Sequence, residues 1–113
     1  MKATEENSSM VRVGRWMFRA EYDKMVKTGK VQESYSGITH VANPADYNAF
    51  YKQAKKGSVY VEFDVPLSSV KQTKDVWAKI LGPKTPEGKL NLKKGLPVPE
   101  MPNAENIKIS GEK

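Results

Sequence analysis

The sequence predicts a single small α+β domain, with several short strands and two or three short helices. Residues 58–66, "SVYVEFDVP", alternate apolar and polar side chains with the period of two that is typical of a half-buried strand. Residues 43–57 instead begin with Asn-Pro, carry an aromatic stripe and end at a glycine, which indicates a helix. A chain of 113 residues, of which 38% are hydrophobic, can bury one modest core.

A polar lead-in precedes the first elements of this domain. Residues 1–9 are polar and aperiodic, so we expect a lead-in or linker remnant there and one domain over residues 10–113. Residues 10–13, "MVRV", predict a short strand that runs into "GRWM". Residues 19–28 are rich in helix formers and precede Gly29, a residue typical of helix C-caps, so a short helix is predicted there.

The middle of the chain is predicted to contain a hairpin and then the clearest helix. Residues 30–35 and 38–42 have the composition of two strands joined across Ser36 and Gly37. The helix of residues 43–57 follows directly. Its predicted features are Asn43 as N-cap, Pro44 at the first helical position, Asp46 in the first turn, and an apolar stripe of Tyr47, Phe50, Tyr51 and Ala54.

The C-terminal third combines two strand patterns with a proline-rich loop. Residues 76–80 and 106–110 predict strands. Five of the seven prolines lie between Pro83 and Pro102, so this connection is stiff, and long ordered loops of this kind often carry function. Within the loop, residues 87–94 are compatible with one or two helical turns.

Composition excludes several classes of site. The chain has no cysteine and one histidine, His40, which rules out disulfides, thiolate nucleophiles and histidine-rich metal sites, so we expect no metal. A formal net charge of +6 favours either an anionic partner or a lysine-rich solvated surface. No apolar run approaches the roughly 20 residues of a membrane span, and no signal-peptide pattern opens the chain, so we expect no membrane partner and no cleaved leader.

Few polar residues remain as candidates for chemistry. The sequence has no G-x-G-x-x-G and no Walker pattern. The remaining candidates are Arg15 beside Trp16, Thr39 beside His40, and the carboxylates Glu62 and Asp64 on one strand. Such residues permit cleavage of the bond between nicotinamide and ribose in NAD. A carboxylate stabilises the oxocarbenium-like transition state, an arginine suits the pyrophosphate, and aromatic rings hold the nicotinamide. The composition permits this reaction without singling it out.

Six segments, spread over about residues 13–107, resemble one family of bacterial toxins. They are "GRWM", "AEYDKMVKTGKVQES", "GITHVANP", "GSVYVEFDVP", "WAKILGP" and "KKGLPVPEMPNAENI". Together they are similar to the C-terminal toxin domains of Rhs polymorphic toxins, and in particular to the TreTu-type ADP-ribosyltransferase effectors. The resemblance covers nearly the whole predicted domain.

This resemblance carries expectations about fold, activity and partners. It implies a small ADP-ribosyltransferase-like split β-sandwich around an NAD cleft, with NAD as the substrate and no metal. It also implies an antibacterial toxin that transfers ADP-ribose to the translation factor EF-Tu and so blocks protein synthesis. Delivery by type VI secretion, action in the cytoplasm of the recipient bacterium and a cognate immunity protein follow from the same likeness, and no stable nucleic-acid partner is expected.

The landmarks of the family also suggest the residues of the site. Glu62 is the expected catalytic carboxylate. The residues expected to bind NAD are Gly14, Arg15, Trp16, Ser36, Thr39, His40 and Tyr60. The alternative carboxylates, all in or near the proline-rich region, are Glu87, Glu100 and Glu105. For Arg15, pairing with Glu21 or Asp23 at the surface is an open alternative to a role in NAD binding.

Two other functions remain open from the residues themselves. One is a metal-independent ribonuclease toxin, in which His40 and Glu62 form an acid–base pair and the lysines hold RNA. It predicts RNA cleavage without NAD and a steep loss of activity with salt. The other is a non-catalytic basic binding module, which predicts that Glu62 and Arg15 can be replaced without loss of function.

Overall fold

A computed structural model of the chain describes residues 9–33, 37–82, 85–96 and 101–113. Within these ranges the elements are β1 (Met10–Met17), α1 (Arg19–Thr28), β2 (Ile38–Asn43), β3 (Val59–Pro66), a 3₁₀ turn (Leu67–Ser69), β4 (Lys71–Gln72), β5 (Val76–Leu81), α2 (Pro86–Lys94) and β6 (Glu105–Glu112). The strands form one six-stranded antiparallel sheet in the order β4-β5-β2-β1-β3-β6. This arrangement confirms the predicted α+β class, and the ADP-ribosyltransferase-like sandwich stays a prediction.

Strand β1 lies in the middle of the sheet and pairs very differently with its two neighbours. It pairs with β3 along its whole length, from Met10 opposite Pro66 to Met17 opposite Val59. With β2 it forms a single partner pair, in which Gly14 lies opposite Ala42. The partner pairs between β1 and β2 therefore do not continue from Gly14 towards Arg15 and His40.

The two faces of the sheet differ in chemistry because side chains alternate along each strand. One face packs under α1 and forms the apolar core. The buried residues of this core are Val13, Met17, Met25, Val31, Val41, Val59, Val61, Phe63, Val65, Ala78, Ile80 and Ala104. The opposite face of β1 and β3 carries Arg12, Gly14 and Trp16 next to Tyr60, Glu62 and Asp64. We call this second side the polar face of the sheet.

The predicted helix over residues 43–57 is wrong. Residues 44–57 form a series of turns, which we call the aromatic cover, and the amides of Ala49, Tyr51 and Gln53 each donate to a carbonyl three residues back. Phe50 has a φ of 65°, which a right-handed helix does not allow. The physical reason is tertiary packing: the aromatic side chains of this segment contact two separate tryptophans, which one helical stripe does not reach.

The predicted hairpin is half correct. Its second strand is confirmed as β2, but residues 30–33 do not form a strand beside it, and residues 34 and 35 lie outside the described ranges. Lys30 instead forms an isolated bridge with Asn103, and the buried Val31 donates its amide to the carbonyl of Pro102 at 3.0 Å. The segment after α1 therefore pairs with the chain that leads into β6, because that contact buries Val31 in the core.

The other predicted elements are confirmed. The predicted strands at residues 10–13, 58–66, 76–80 and 106–110 correspond to β1, β3, β5 and β6, and the predicted helical turns at residues 87–94 to α2. The helix α1 ends at Gly29, whose φ is 72° and whose amide donates to Met25 at 2.8 Å, as its C-cap position predicts. Among the described residues, no helix is both long enough and apolar enough to cross a membrane.

The two edges of the sheet are irregular in different ways. At one edge, β4 consists of two residues. At the other, β6 has eight residues, but its register with β3 shifts twice, once between Tyr60 and Val61 and once between Glu62 and Asp64. Exposed and half-buried positions alternate along most of β6, and its charged residues Glu105, Lys108 and Glu112 are all exposed.

Candidate functional site

A groove is lined by residues of β1, β2 and the aromatic cover. Its centre has a volume of about 160 Å³. The residues that line this centre, which we call the Arg15 groove, are Arg15, Trp16, His40, Phe50, Gln53 and Ala54. Two neighbouring depressions share residues with it, one of about 370 Å³ towards Thr73 and Trp77 and one of about 230 Å³ towards Phe18 and Ser58. The three form a continuous path across the end of β1.

Arg15 is fixed at the centre of this path by three hydrogen bonds. Its Nε and Nη2 atoms donate to the two carboxylate oxygens of Glu21 on α1 at 2.6 and 3.1 Å, a bidentate ion pair. Its Nη1 atom donates to the backbone carbonyl of His40 on β2 at 2.9 Å. The ion pair with Glu21 that the sequence left open is present, and a role of Arg15 in NAD binding stays a prediction. Because a guanidinium has five N–H groups, two of them have no partner among the described residues and can bind an anion.

Aromatic rings form the walls of the groove. The indole of Trp16 contacts Tyr47, Tyr51 and Tyr60, with ring centroids 5.0, 5.5 and 5.5 Å apart, and its N–H donates to the carbonyl of Tyr47 at 3.0 Å. On the other side, the ring of Phe50 lies between His40 and Trp77, at 6.2 and 4.4 Å. Trp16 is therefore mostly buried, and Phe50 and His40 present the accessible rings.

His40 is exposed at the mouth of the groove. Partial burial of its ring lowers its pKa below the ordinary value of 6.5, and the positive charges of Arg15 and Lys79 lower it further. The imidazole is thus neutral at pH 7 and retains one nitrogen that can accept a hydrogen bond or a proton.

The depressed pKa of His40 predicts a specific pH dependence of stability. The unfolded chain binds a proton at His40 at higher pH than the folded chain, so folding stability falls as the pH drops below 6.5. We expect His40→Gln to lose less stability than the wild type between about pH 7.5 and about pH 5.5. Urea midpoints measured across this range test the prediction, and parallel curves for the two proteins would contradict it.

The polar side of β3 does not simply face water. Arg12 donates from Nη1 to Asp64 at 2.9 Å, and its Nε lies 3.5 Å from a carboxylate oxygen of Glu62. Asn106 on β6 donates to the other oxygen of Asp64 at 2.8 Å. The bonds from Asn106 and Arg12 hold the pKa of Asp64 below its ordinary value. The Asp64 carboxylate therefore accepts a hydrogen bond at each of its oxygens, whereas the contact of Arg12 with the Glu62 carboxylate is longer and weaker.

Tyr60 lies beside Glu62 and is 1% exposed. Its ring fills the space above Gly14, where a β-carbon would lie 2.6 Å from the Cζ atom of the tyrosine. Its hydroxyl is buried, with the Glu62 carboxylate nearby. Burial and then the nearby Glu62 carboxylate raise the pKa of Tyr60 well above its ordinary value. Gly14 therefore makes room for Tyr60 in the packing of the polar face.

The structure separates the expected site residues into three groups. Arg15, Trp16 and His40 line the groove. Gly14, Tyr60 and Glu62 lie on the polar face of the sheet, and none of the three lines the groove or its two neighbouring depressions. Thr39 is fully buried on the core side, where its hydroxyl donates to the carbonyl of Gln32 at 2.9 Å, so it does not line the groove.

The remaining candidates lie elsewhere or outside the described residues. Ser36 and Glu100 fall outside the described ranges, and Glu87 lies on α2. Glu105 is exposed at the start of β6, opposite Asp64. Within the described part of the chain, no three acidic or histidine side chains come together as a possible metal site.

A comparison with family models adds one finding. A model described as "TreTu toxin, C-terminal domain" matches residues 10–108 of the chain. This range begins with β1, contains the whole groove and extends into β6. No curated protein matches the chain.

Proposed function

Because the chain belongs to the family of TreTu toxin C-terminal domains, and is therefore a toxin domain, we propose that it transfers ADP-ribose from NAD to the translation factor EF-Tu. A toxin domain is an effector that is delivered to other cells. We further propose that the domain is delivered by type VI secretion, acts in the cytoplasm of a recipient bacterium and is blocked by a cognate immunity protein. The choice of EF-Tu is supported by the likeness of the sequence segments, and the choice of chemistry by the groove.

The observation that carries the chemistry is the position of Arg15. Its guanidinium is held rigidly by Glu21 and by the His40 carbonyl, while two N–H groups are left without partners among the described residues. The pyrophosphate of NAD is an anion with oxygen acceptors at matching spacing, and arginine binds such groups in a bidentate manner. The formal charge of +6 attracts the same ligand to the surface.

The aromatic walls suit the other parts of NAD. The ring of Phe50, next to His40, offers a flat apolar surface for the nicotinamide. A neutral His40 can accept a hydrogen bond from a ribose hydroxyl. The depression towards Trp77 extends the path by about 370 Å³, which provides room for the rest of an extended dinucleotide.

Two carboxylates compete for the role of stabilising positive charge on the ribose. Glu21 is bound by Arg15 through both oxygens, so its charge is largely neutralised. Glu62 is 3.5 Å from Arg12, whose shorter bond of 2.9 Å goes to Asp64, and it shares the polar face with Trp16. We therefore assign the role to Glu62, because a less neutralised carboxylate stabilises an oxocarbenium-like charge better.

The reaction then proceeds by substitution at the ribose. The bond between nicotinamide and C1′ breaks, nicotinamide leaves with the bonding electrons, and positive charge develops on the ribose ring near Glu62. An acceptor side chain of the target forms the new bond to C1′ and loses its proton to the neutral His40.

Arg15→Ala is expected to slow labelling of the target strongly. We propose to incubate the purified domain with bacterial lysate and labelled NAD, and to identify the labelled protein by gel and mass spectrometry. The wild type should label one band, EF-Tu, and Arg15→Ala should lower the rate by about a hundredfold, because the pyrophosphate loses its anchor. Arg19→Ala is the control, since Arg19 is exposed on α1 and away from the groove lining.

Other outcomes of this experiment identify the rival functions. Intact NAD together with degraded RNA would support a ribonuclease that uses His40 and Glu62. If the domain neither labelled a protein nor cleaved RNA, and if Arg15→Ala still bound the target, the result would support a non-catalytic binding module. A labelled protein other than EF-Tu would support ADP-ribosyl transfer and identify a different target.

A further inference from the structure

The side chain of Lys113, which directly follows β6, contacts the aromatic cover. Its Nζ atom donates to the carbonyl of Tyr51 at 2.6 Å and to the carbonyl of Ala54 at 2.9 Å. The same atom lies 4.2 Å from the centre of the Tyr51 ring, which is within the range of a cation–π contact. One charged group therefore contacts two carbonyls and one ring of the cover.

An ammonium group suits this position for physical reasons. A series of turns lacks the regular hydrogen bonds of a helix, so its carbonyls need donors from elsewhere. An ammonium group offers three N–H donors, and hydrogen bonds from a charged donor are stronger than those between neutral groups. Lys113 is also half-buried, which reduces the competition from water. We therefore expect these contacts to help fix the position of the cover.

The backbone places Lys113 beside the cover independently of its side chain. Its amide donates to the carbonyl of Ser58 at 3.0 Å, and its carbonyl accepts from the amide of Gly57 at 2.9 Å. These bonds extend the pairing of β6 with β3 to the residues that join the cover to β3. A change of the side chain alone should therefore leave the backbone at this position in place.

Gly111 on β6 makes room for the first part of the cover. A β-carbon at Gly111 would overlap the ring of Tyr47 and lie 3.0 Å from its Cδ2 atom. Tyr47 in turn contacts Trp16, with ring centroids 5.0 Å apart, and its carbonyl accepts the indole N–H. The end of β6 therefore contacts the cover at two places, at Tyr47 and at the carbonyls that Lys113 binds.

The shape of the groove depends on where the cover lies. The residues of the cover that line the groove are Phe50, Gln53 and Ala54. Lys113 binds the carbonyl of Ala54 and that of Tyr51, which lies between Phe50 and Gln53 in the sequence. These two bonds therefore hold the segment that forms one wall of the groove.

We propose that Lys113 is a positioning residue, whose ammonium group holds the aromatic cover at the distance from the sheet that the ligand of the groove requires. Lys113 lies beyond residue 108, where the match to the family model ends. The effect on the ligand rests on the proposed function, since NAD is the ligand proposed for the groove. The effect on the cover does not, so the two effects can be measured separately.

The first experiment follows hydrogen exchange by mass spectrometry in the domain without ligand. The variants are Lys113→Met, Lys113→Arg and, as the matched control, Lys56→Met. Lys56 is an exposed lysine of the same cover that lines neither the groove nor its two neighbouring depressions, and its replacement removes the same charge. We expect Lys113→Met to raise the exchange rates of residues 49–54 by about tenfold and to leave β1 unchanged. Lys113→Arg should keep slow exchange, because a guanidinium can also donate to two carbonyls, and Lys56→Met should match the wild type.

The second experiment measures the hydrolysis of NAD by the same proteins. Lys113→Met should raise the KM for NAD by about threefold, because NAD then binds only the fraction of molecules whose cover is in place. Its kcat should stay near that of the wild type, since the proposed catalytic groups, Glu62 and His40, are unchanged. Lys113→Arg should restore most of the affinity, and Lys56→Met should match the wild type.

The possible outcomes separate the two proposals. Unchanged exchange in Lys113→Met, or equally faster exchange in every element, would overturn the role of Lys113 in holding the cover. Faster exchange in the cover alone, with an unchanged KM in a domain that cleaves NAD, would overturn its role in the groove. Absence of NAD cleavage by the wild type would overturn the proposed function, whereas the exchange rates would still decide whether Lys113 holds the cover.

Discussion

Glu62→Gln is expected to lower ADP-ribosyl transfer by about a hundredfold to a thousandfold while NAD binding changes little. The amide keeps the size of the side chain and loses the negative charge that stabilises the oxocarbenium-like transition state. Binding should persist because Arg15, Phe50 and His40, which form the proposed NAD contacts, are unchanged. The measurement is the rate of label transfer at saturating NAD, together with a dissociation constant for NAD from calorimetry.

Two matched variants make this result interpretable. Asp64→Asn removes a carboxylate from the same strand and from the same arginine, Arg12, and should leave the transfer rate near that of the wild type. Glu21→Gln should weaken NAD binding more than the rate at saturation, because Glu21 positions Arg15. If Glu62→Gln retained full activity while Glu21→Gln lost it, the charge-stabilising role would belong to Glu21.

Gly14→Ala is expected to have the largest effect on stability. A β-carbon at this position would lie 2.6 and 2.7 Å from the Cζ and Cε1 atoms of Tyr60, and the tyrosine is too deeply buried to move aside. Overpacking of this kind costs about 2–3 kcal/mol of unfolding free energy, and we expect the melting temperature to fall by about 10 °C. Calorimetry or circular dichroism against temperature measures the change.

A double-mutant cycle shows whether the contact with Tyr60 is the cause. In a Tyr60→Leu background the ring is absent, so adding the methyl group at residue 14 should cost almost nothing. Additive losses in the double variant would mean that Gly14 is required for another reason, such as the single contact of β1 with β2 at Ala42. The same variants in the NAD-binding assay would show whether Gly14 also contacts the ligand.

The sequence predicted most strands because their patterns are local. The alternation in β3 and the apolar periods of β5 and β6 are visible within a few residues, and so is the glycine that ends α1. The aromatic cover was not predictable in this way. Its helix signals are Asn43 and Pro44, but Asn43 is the last residue of β2, and the competing contacts come from Trp16 and Trp77, which lie far away in sequence. Local propensity is outweighed where aromatic rings find such partners.

Part of the candidate site could also be predicted from the sequence. Arg15, Trp16 and His40 could be selected by residue type and resemblance, and they do come together. The contribution of Phe50 and Gln53 could not, because it depends on the turns of the cover. The only signal in the sequence was the density of aromatic residues between positions 47 and 51, which indicates that this segment packs against more than one partner.

The irregular edges of the sheet affect whether copies of this domain aggregate at high concentration. An open edge is a template on which another chain can add a strand, and long regular edges are the sites at which fibrils begin. Here β4 offers two residues, and β6 is interrupted by two register shifts and by charged side chains such as Lys108. Neither edge is both long and regular, so the backbone itself disfavours edge-to-edge aggregation.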